Sequence, residues 1–187
     1  MLCKSCAFET ERLLVREWRS FLPSEWKQQD LGQVVSAMLT DAVTTSLPTA
    51  WQGHYSVARV RQWIEERDNE GTTLLVVDKS TKMPVGLMIL FETDAENGDS
   101  GVEVRLGYLL SESEWGKGFA SELVKGFVGW CRDQPSILSI AGGVARDNPA
   151  SRRVLEKNGF QPIQPEGEAA QDEQLFEQLF RLKFPTQ

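Results

Sequence analysis

The segment Val102–Cys131, VEVRLGYLLSESEWGKGFASELVKGFVGWC, constrains this chain more than any other. Val102–Leu110 is a mostly apolar run with the length and residue types of a strand. Gly118–Cys131 reads as a helix, because Phe119, Leu123, Phe127 and Trp130 recur at i, i+4, i+8 and i+11 and make one apolar stripe. Between them Gly116 and Gly118 lack a Cβ and permit close approach to their backbone. The first amides of the helix have no intrahelical acceptor and sit at the positive end of its dipole. Strand, glycine turn and helix start together form an anion site suited to a phosphate or pyrophosphate. An ordinary strand-to-helix turn has the same glycine spacing, so the rest of the chain must decide between the two.

The flanking segments supply a single domain around this unit. RLLVREW (Arg12–Trp18) reads as a first strand. Leu31, Val34, Val35, Met38 and Leu39 have helical spacing, and Leu47-Pro48 closes that region. Ser56 is placed to cap a helix running to about Asp68, stopped by Gly71. Thr72–Val77 and Val85–Phe91 read as two strands of a hairpin, the second apolar enough to be covered on both faces. Ile137–Val144 is a further strand. Asp147 or Asn148 caps a helix that starts at Pro149 and ends at Asn158-Gly159. Phe160–Ile163 begins a short strand, QPEGEAAQD is a polar loop, and a terminal strand is expected over about Leu175–Phe184. No repeat or linker divides the 187 residues, so residues 1–187 are expected to form one domain, with residues 1–8 a mobile start.

Charge and composition remove several function classes. The net charge of −7 argues against non-specific nucleic-acid binding. No apolar run approaches the roughly 20 residues that cross a membrane, and the N-terminus lacks the apolar core of a signal peptide, so a cytoplasmic protein is expected. Cys3 and Cys6 form a CxxC, but a structural zinc site needs about four ligands, and Cys131 and His54 supply no second pair by spacing. No metal is therefore expected. His54, alone in a loop-like stretch, reads as a solvated residue.

Five segments, in this order, resemble one family: ETERLLVREW, LTDAVTTSLP, PVGLMIL, LGYLLSESEWGKGFASELV and VARDNPASRRVLEKNGF. They are similar to the GNAT acyl-CoA N-acyltransferases, and most to the Rim-type ribosomal-protein N-terminal acetyltransferases and their small-molecule relatives. The resemblance spans about residues 9–163. It implies an α+β fold with a mixed, mostly antiparallel central sheet of about six or seven strands, splayed in the middle and flanked by about four helices. It implies acetyl-CoA as co-substrate, with Leu109 and Leu110 offering backbone hydrogen bonds to the pantetheine arm. Gly116, Lys117, Gly118, Phe119, Ala120 and Ser121 would hold the pyrophosphate, in agreement with the anion site above. Asn148 would reach the cofactor across the gap, unless it is only a helix cap. Arg153, like Arg152, would meet phosphates or remain a solvated charge.

The chemistry implied is attack of a neutral primary amine on a thioester, with a base for the amine proton and a proton for the departing thiolate. No serine or cysteine nucleophile is needed, and no Gly-x-Ser-x-Gly elbow is present. The chain departs from the family where many relatives carry a carboxylate, two residues before the glycine of the GY pair. That residue here is Arg105, so Glu103, on the same strand face, becomes the candidate base. Where many members carry a tyrosine acid this chain has Leu155, and Ser151 matches the serine proposed instead in the Rim-type branch. Leu47, Pro48, Trp51 and Tyr55 would wall the acceptor site. Glu92, Asp94, Glu96, Asp99 and Glu103 would draw in a cationic amine, unless they are a solvated loop with a charged strand end. The acceptor is expected to be a protein N-terminus or a small-molecule amine, with the chain a monomer or homodimer. The competing reading is a non-catalytic acyl-CoA-binding or sensing module, since a fold does not guarantee activity.

Overall fold

The computed structural model describes residues 2–21, 30–95, 100–163 and 177–185. They form one eight-stranded sheet: β1 (Ala7–Glu9), β2 (Leu13–Glu17), β3 (Thr72–Asp78), β4 (Pro84–Asp94), β5 (Val102–Leu110), β6 (Ile137–Ala145), β7 (Gln161–Pro162) and β8 (Glu177–Lys183). The spatial order is β1-β2-β3-β4-β5-β6-β8-β7. Every neighbouring pair is antiparallel except β5 and β6, which run parallel. The five helices of the described residues are α1 (Leu31–Met38), α2 (Asp41–Thr44), α3 (Val57–Glu70), α4 (Phe119–Arg132) and α5 (Pro149–Lys157).

Local chemistry sets these boundaries. Asp30 and Gln33 make a reciprocal capping box at the start of α1. The Ser56 side chain accepts from the Arg59 N–H and starts α3, which Gly71 ends. Asn148 accepts from the Ser151 N–H, and Pro149 occupies the first position of α5. β3 is buried along its whole length, as a central strand covered on both faces must be.

Each face of the sheet carries its own core. On one, Phe119, Leu123, Phe127 and Cys131 of α4 and Leu155 of α5 pack on Val104, Leu106, Ile140 and Phe180. On the other, α1, α2 and α3 bring Val35, Met38, Val43, Val60 and Trp63 onto Leu75, Leu87, Ile89 and Leu109. Period-two alternation thus sends the even residues of β5 toward α4 and α5, and the odd ones toward α1–α3.

Residues 2–8 depart from the expected mobile start. They form a 3-10 turn (Leu2–Ser5) and the edge strand β1, with Cys3 and Cys6 buried. The reason is packing: both thiols join the α4-side core, near Cys131. Burial pushes the Cys3 thiol up to about 12 and raises the other two as well, so all three are protonated and chemically quiet. Among the described residues no group of three or more His, Cys, Asp or Glu side chains is arranged to hold a metal ion. No helix among them is long and apolar enough to cross a membrane.

Candidate functional site

Among the described residues the one parallel junction of the sheet is also where it opens. β5 and β6 stay paired from Val102↔Ile137 to Arg105↔Ala141, and beyond that register they separate. Gly107, Tyr108, Leu109 and Leu110 therefore line one wall of a cleft of about 1170 Å³, and Gly142, Gly143, Val144 and Ala145 line the other. The glycine turn and the starts of α4 and α5 close one end, and Leu47, Pro48 and Trp51 border the other.

Backbone polarity along β5 follows from one hydrogen bond. The Ser111 N–H donates to the Val85 carbonyl at 2.9 Å, so Leu109 and Gly107, two and four residues back, also direct their backbone groups at β4. Leu110, Tyr108 and Leu106 direct theirs into the gap. The Leu106 carbonyl accordingly lies 3.3 Å from where a Cβ on Gly142 would sit, and the Leu110 carbonyl accepts from the Trp115 indole N–H at 2.9 Å. This corrects the expectation for Leu109, whose backbone is committed to β4 while its side chain joins the core. The backbone groups that face the gap are those of Leu110 and Tyr108.

The glycine turn is shaped as an anion cradle. Gly116 and Gly118 have φ of 74° and 83°, in the left-handed region that glycine enters without a Cβ penalty. Gly118 is the N-cap of α4 and provides no side-chain cap, so the amides of Phe119, Ala120 and Ser121 lack the acceptor that a serine or aspartate would give them. A Cβ at Gly116 would meet nothing within 4 Å, which leaves that backbone open to a ligand. Arg12 fastens the turn from outside, donating from Nη1 to the Lys117 carbonyl at 3.0 Å and from Nε to Glu122 at 2.6 Å. The two charged candidates separate here. Lys117 is paired with Glu114 at 3.0 Å, whereas Arg153 lines the cleft with no ion pair among the described residues. Arg152 is paired with Glu156 at 2.8 Å.

Asn148 and Ser151 come together at the start of α5. Asn148 Oδ1 accepts the Ser151 backbone N–H at 3.0 Å, and both residues line the cleft. Asn148 is thus a cap that also faces the cofactor side of the gap. The Ser151 hydroxyl is left over, and it faces the hydroxyl of Tyr108, a neighbour that sequence reading missed. Burial raises the Tyr108 phenol while the Ser151 hydroxyl acts in the opposite sense. The Tyr108 Oη is buried and makes no full hydrogen bond among the described residues, so it is open to a partner. Leu155 is buried in the core.

Glu103 reaches the cleft but not as a free base. It is 6% exposed; the Ser139 hydroxyl donates to its Oε2 at 2.7 Å, and Arg181 Nε lies 2.7 Å from the same oxygen. Taking a proton there would break a buried ion pair, which is costly. Arg181 is the reason, and β8 lies too far away in sequence for the pairing to be read from spacing. The acidic run is also dispersed. Glu92 accepts the Cys3 N–H at 2.6 Å, Asp94 is exposed, and Glu96 and Asp99 lie outside the described residues.

Of the residues expected to wall an acceptor site, Leu47, Pro48 and Trp51 line the cleft and Tyr55 does not. Tyr55 is buried beneath them and donates from its hydroxyl to the Trp51 carbonyl at 2.8 Å, so it positions Trp51. Trp51 packs edge-on against Trp63, and the Arg67 guanidinium lies 4.2 Å from its ring centre. His54 is exposed and outside the cleft, its carbonyl accepting from Arg59 at 2.9 Å.

Residues 23–161 match the model of the acetyltransferase (GNAT) domain family. No curated protein matches the chain by sequence. Solved structures share the fold. A GNAT-family acetyltransferase from Bacillus anthracis has a TM-score of 0.70 at 17% identity, covering 95% of this chain and 98% of its own. RimL, a ribosomal L7/L12 alpha-N-protein acetyltransferase in complex with coenzyme A, has a TM-score of 0.68 at 18% identity, with 95% and 97% covered. A ribosomal-protein-S5-alanine acetyltransferase from Vibrio fischeri has a TM-score of 0.62 at 17% identity, with 95% and 96% covered.

Proposed function

The chain belongs to the acetyltransferase (GNAT) family, and from that premise we propose that it moves an acetyl group from acetyl-CoA directly to a primary amine held in the same cleft. The observation that carries this reading is the splay of β5 from β6 beyond Arg105, ending at an uncapped helix N-terminus. A chain-like thiol ester fits the slot between the strands, and its diphosphate fits the amides of Gly116–Ser121. Acetyl-CoA, when bound, supplies the activated acyl group. The backbone groups of Tyr108 and the Leu110 N–H face the gap and can align the pantetheine arm like an added strand, while the Leu110 carbonyl is held by Trp115. Arg153 and the amide end of Asn148 face the cofactor from the α5 side.

The amine enters between Leu47, Pro48 and Trp51 and must be neutral to attack. With Glu103 tied to Arg181 and Ser139, its proton leaves through water in the open cleft, and Glu103 fixes the floor on which the acceptor rests. Ser151 holds a hydroxyl at the cofactor wall and gives its proton to the departing thiolate. Water in the open cleft restores that proton, and the Tyr108 hydroxyl beside Ser151 orients it. The transfer needs no covalent enzyme adduct, consistent with three buried, protonated cysteines.

The test is turnover of acetyl-CoA with a panel of peptide N-termini and small amines, read by release of free thiol. At least one amine should raise thiol release well above hydrolysis, in a manner saturable in both substrates with intersecting double-reciprocal lines. Parallel lines would point to an acyl-enzyme and overturn the direct transfer. Binding of acetyl-CoA with no turnover of any amine would leave a cofactor-binding module instead.

A further inference from the structure

The acceptor half of the cleft is lined by two carboxylates, Glu103 and Glu177, and two guanidiniums, Arg105 and Arg181. Its carboxylates are already engaged: Glu103 by Arg181 and Ser139, and Glu177 with a partner of its own. Arg181 is spent on Glu103. Arg105 differs from all of these. It is exposed, it lines the cleft, and it has no ion pair or hydrogen bond among the described residues. It lies on the odd face of β5, opposite Phe91 on β4 and level with Ala141 on β6, at the last register before the strands part. Ala141 and Gly143 are small, so nothing from β6 fills the space in front of it. Leu47, Pro48, Trp51 and Phe91 beside it are apolar, and the Glu103 and Glu177 carboxylates that share the cleft are engaged with other partners. A cation with five donors facing an apolar-walled cleft is built for a planar anion, and a carboxylate matches its fork.

We propose that Arg105 is the specificity residue of the acceptor site, and that the natural acceptor is an amine that also carries a carboxylate. The inference rests on the acetyl-transfer reading and narrows it. It also reverses the expectation of an acidic funnel for polycationic amines. The carboxylate of a free amino acid and an acidic side chain near a peptide N-terminus present the same group to Arg105.

The experiment uses the full chain with acetyl-CoA and two matched pairs of acceptors. One pair is L-leucine and L-leucinamide. The other is the amidated tripeptides Ser-Asp-Ala and Ser-Asn-Ala. The quantity read is the ratio of kcat/KM for the acid over its amide, compared among the parent, Arg105→Gln and Arg105→Lys, so that differences in amine basicity cancel. The ratio should fall about ten- to hundredfold in Arg105→Gln for at least one pair, and be partly kept in Arg105→Lys. The pair that responds identifies the source of the carboxylate. An unchanged ratio in both pairs, or an equal loss for acid and amide, overturns the proposal. If no amine is acetylated the transfer reading fails by itself. Calorimetry of the same acids with the coenzyme A-loaded protein then decides: binding lost in Arg105→Gln supports the anion site, and binding equal to the parent overturns it. A melting curve identifies a variant that has not folded, and Arg105→Lys, which keeps the charge, leaves the comparison intact.

Discussion

Ser151 has two hydrogen-bonding parts with separate duties. Its backbone N–H satisfies the Asn148 cap, and its hydroxyl faces Tyr108. Truncating the side chain therefore leaves the cap untouched. Ser151→Ala should lower kcat by about 10²-fold, the low end for an aligned proton donor because water can replace it. Acetyl-CoA affinity and melting temperature should stay close to the parent. Asn148→Ala should do the opposite to stability and cost about 1 kcal/mol as a lost N-cap. Kinetics, cofactor titration and unfolding on the same two variants separate these roles; an unchanged kcat in Ser151→Ala would assign the proton to water. Ser151 and Asn148 were both legible from DNPAS, because a cap and a first-turn proline are local signals. Tyr108 was hidden, since only the approach of β5 to α5 makes its hydroxyl a neighbour of Ser151.

At the scale of elements, the glycine turn is held by a contact between distant segments. Glu122, in the first turn of α4, receives the Thr10 hydroxyl at 2.5 Å and the Arg12 backbone N–H at 2.8 Å, besides the Arg12 side chain. This clamp pins the β1–β2 turn against α4 and holds Arg12 under the Lys117 carbonyl. Burial alone would raise the Glu122 carboxyl, but the bonds from Thr10 and Arg12 together outweigh it and the net direction is down. A carboxyl depressed in the folded state adds stability above its ordinary value, about pH 4.3, and that share is lost as pH falls through the folded value. Glu122→Gln should therefore melt lower than the parent near pH 7, with the difference shrinking below about pH 4. A gap that stays constant from pH 7 to pH 3 would show that the charge of Glu122 plays no part. Most helices and strands were readable at this scale from apolar period, as were the caps of α3 and α5 from Ser56 and the Asp147-Asn148 pair. The edge strand β1 was not, because AFE is too short to signal a strand and gains its place only by pairing with β2.

The whole molecule is a sheet with two cores that opens along one seam. A ligand spanning the seam bridges β5, β6, α4 and α5, so its binding is coupled to global unfolding. Acetyl-CoA at a hundred times its dissociation constant should add about 2.7 kcal/mol of stability and raise the melting temperature, with ATP giving less at the same concentration. Gly118→Asp should remove that shift: φ of 83° strains a side chain there, and its Cβ would sit 3.5 Å from the Arg12 Nη2 that helps hold the turn, so the new carboxylate would disturb that contact. A folded Gly118→Asp protein that keeps the full acetyl-CoA shift would place the diphosphate elsewhere. By itself the sequence determined the α+β class, the order of elements, the glycine turn and the cap of α5, since these depend on residue types a few positions apart. Only the tertiary structure decided which charges are spent and which are free. Glu103 and Arg105 lie two residues apart on one strand face, and the sequence offered Glu103 as the candidate base and Arg105 only as the place where the family's carboxylate is missing. β8 brings Arg181 onto Glu103 and brings nothing described onto Arg105, and a pairing between residues 78 positions apart leaves no trace in local spacing.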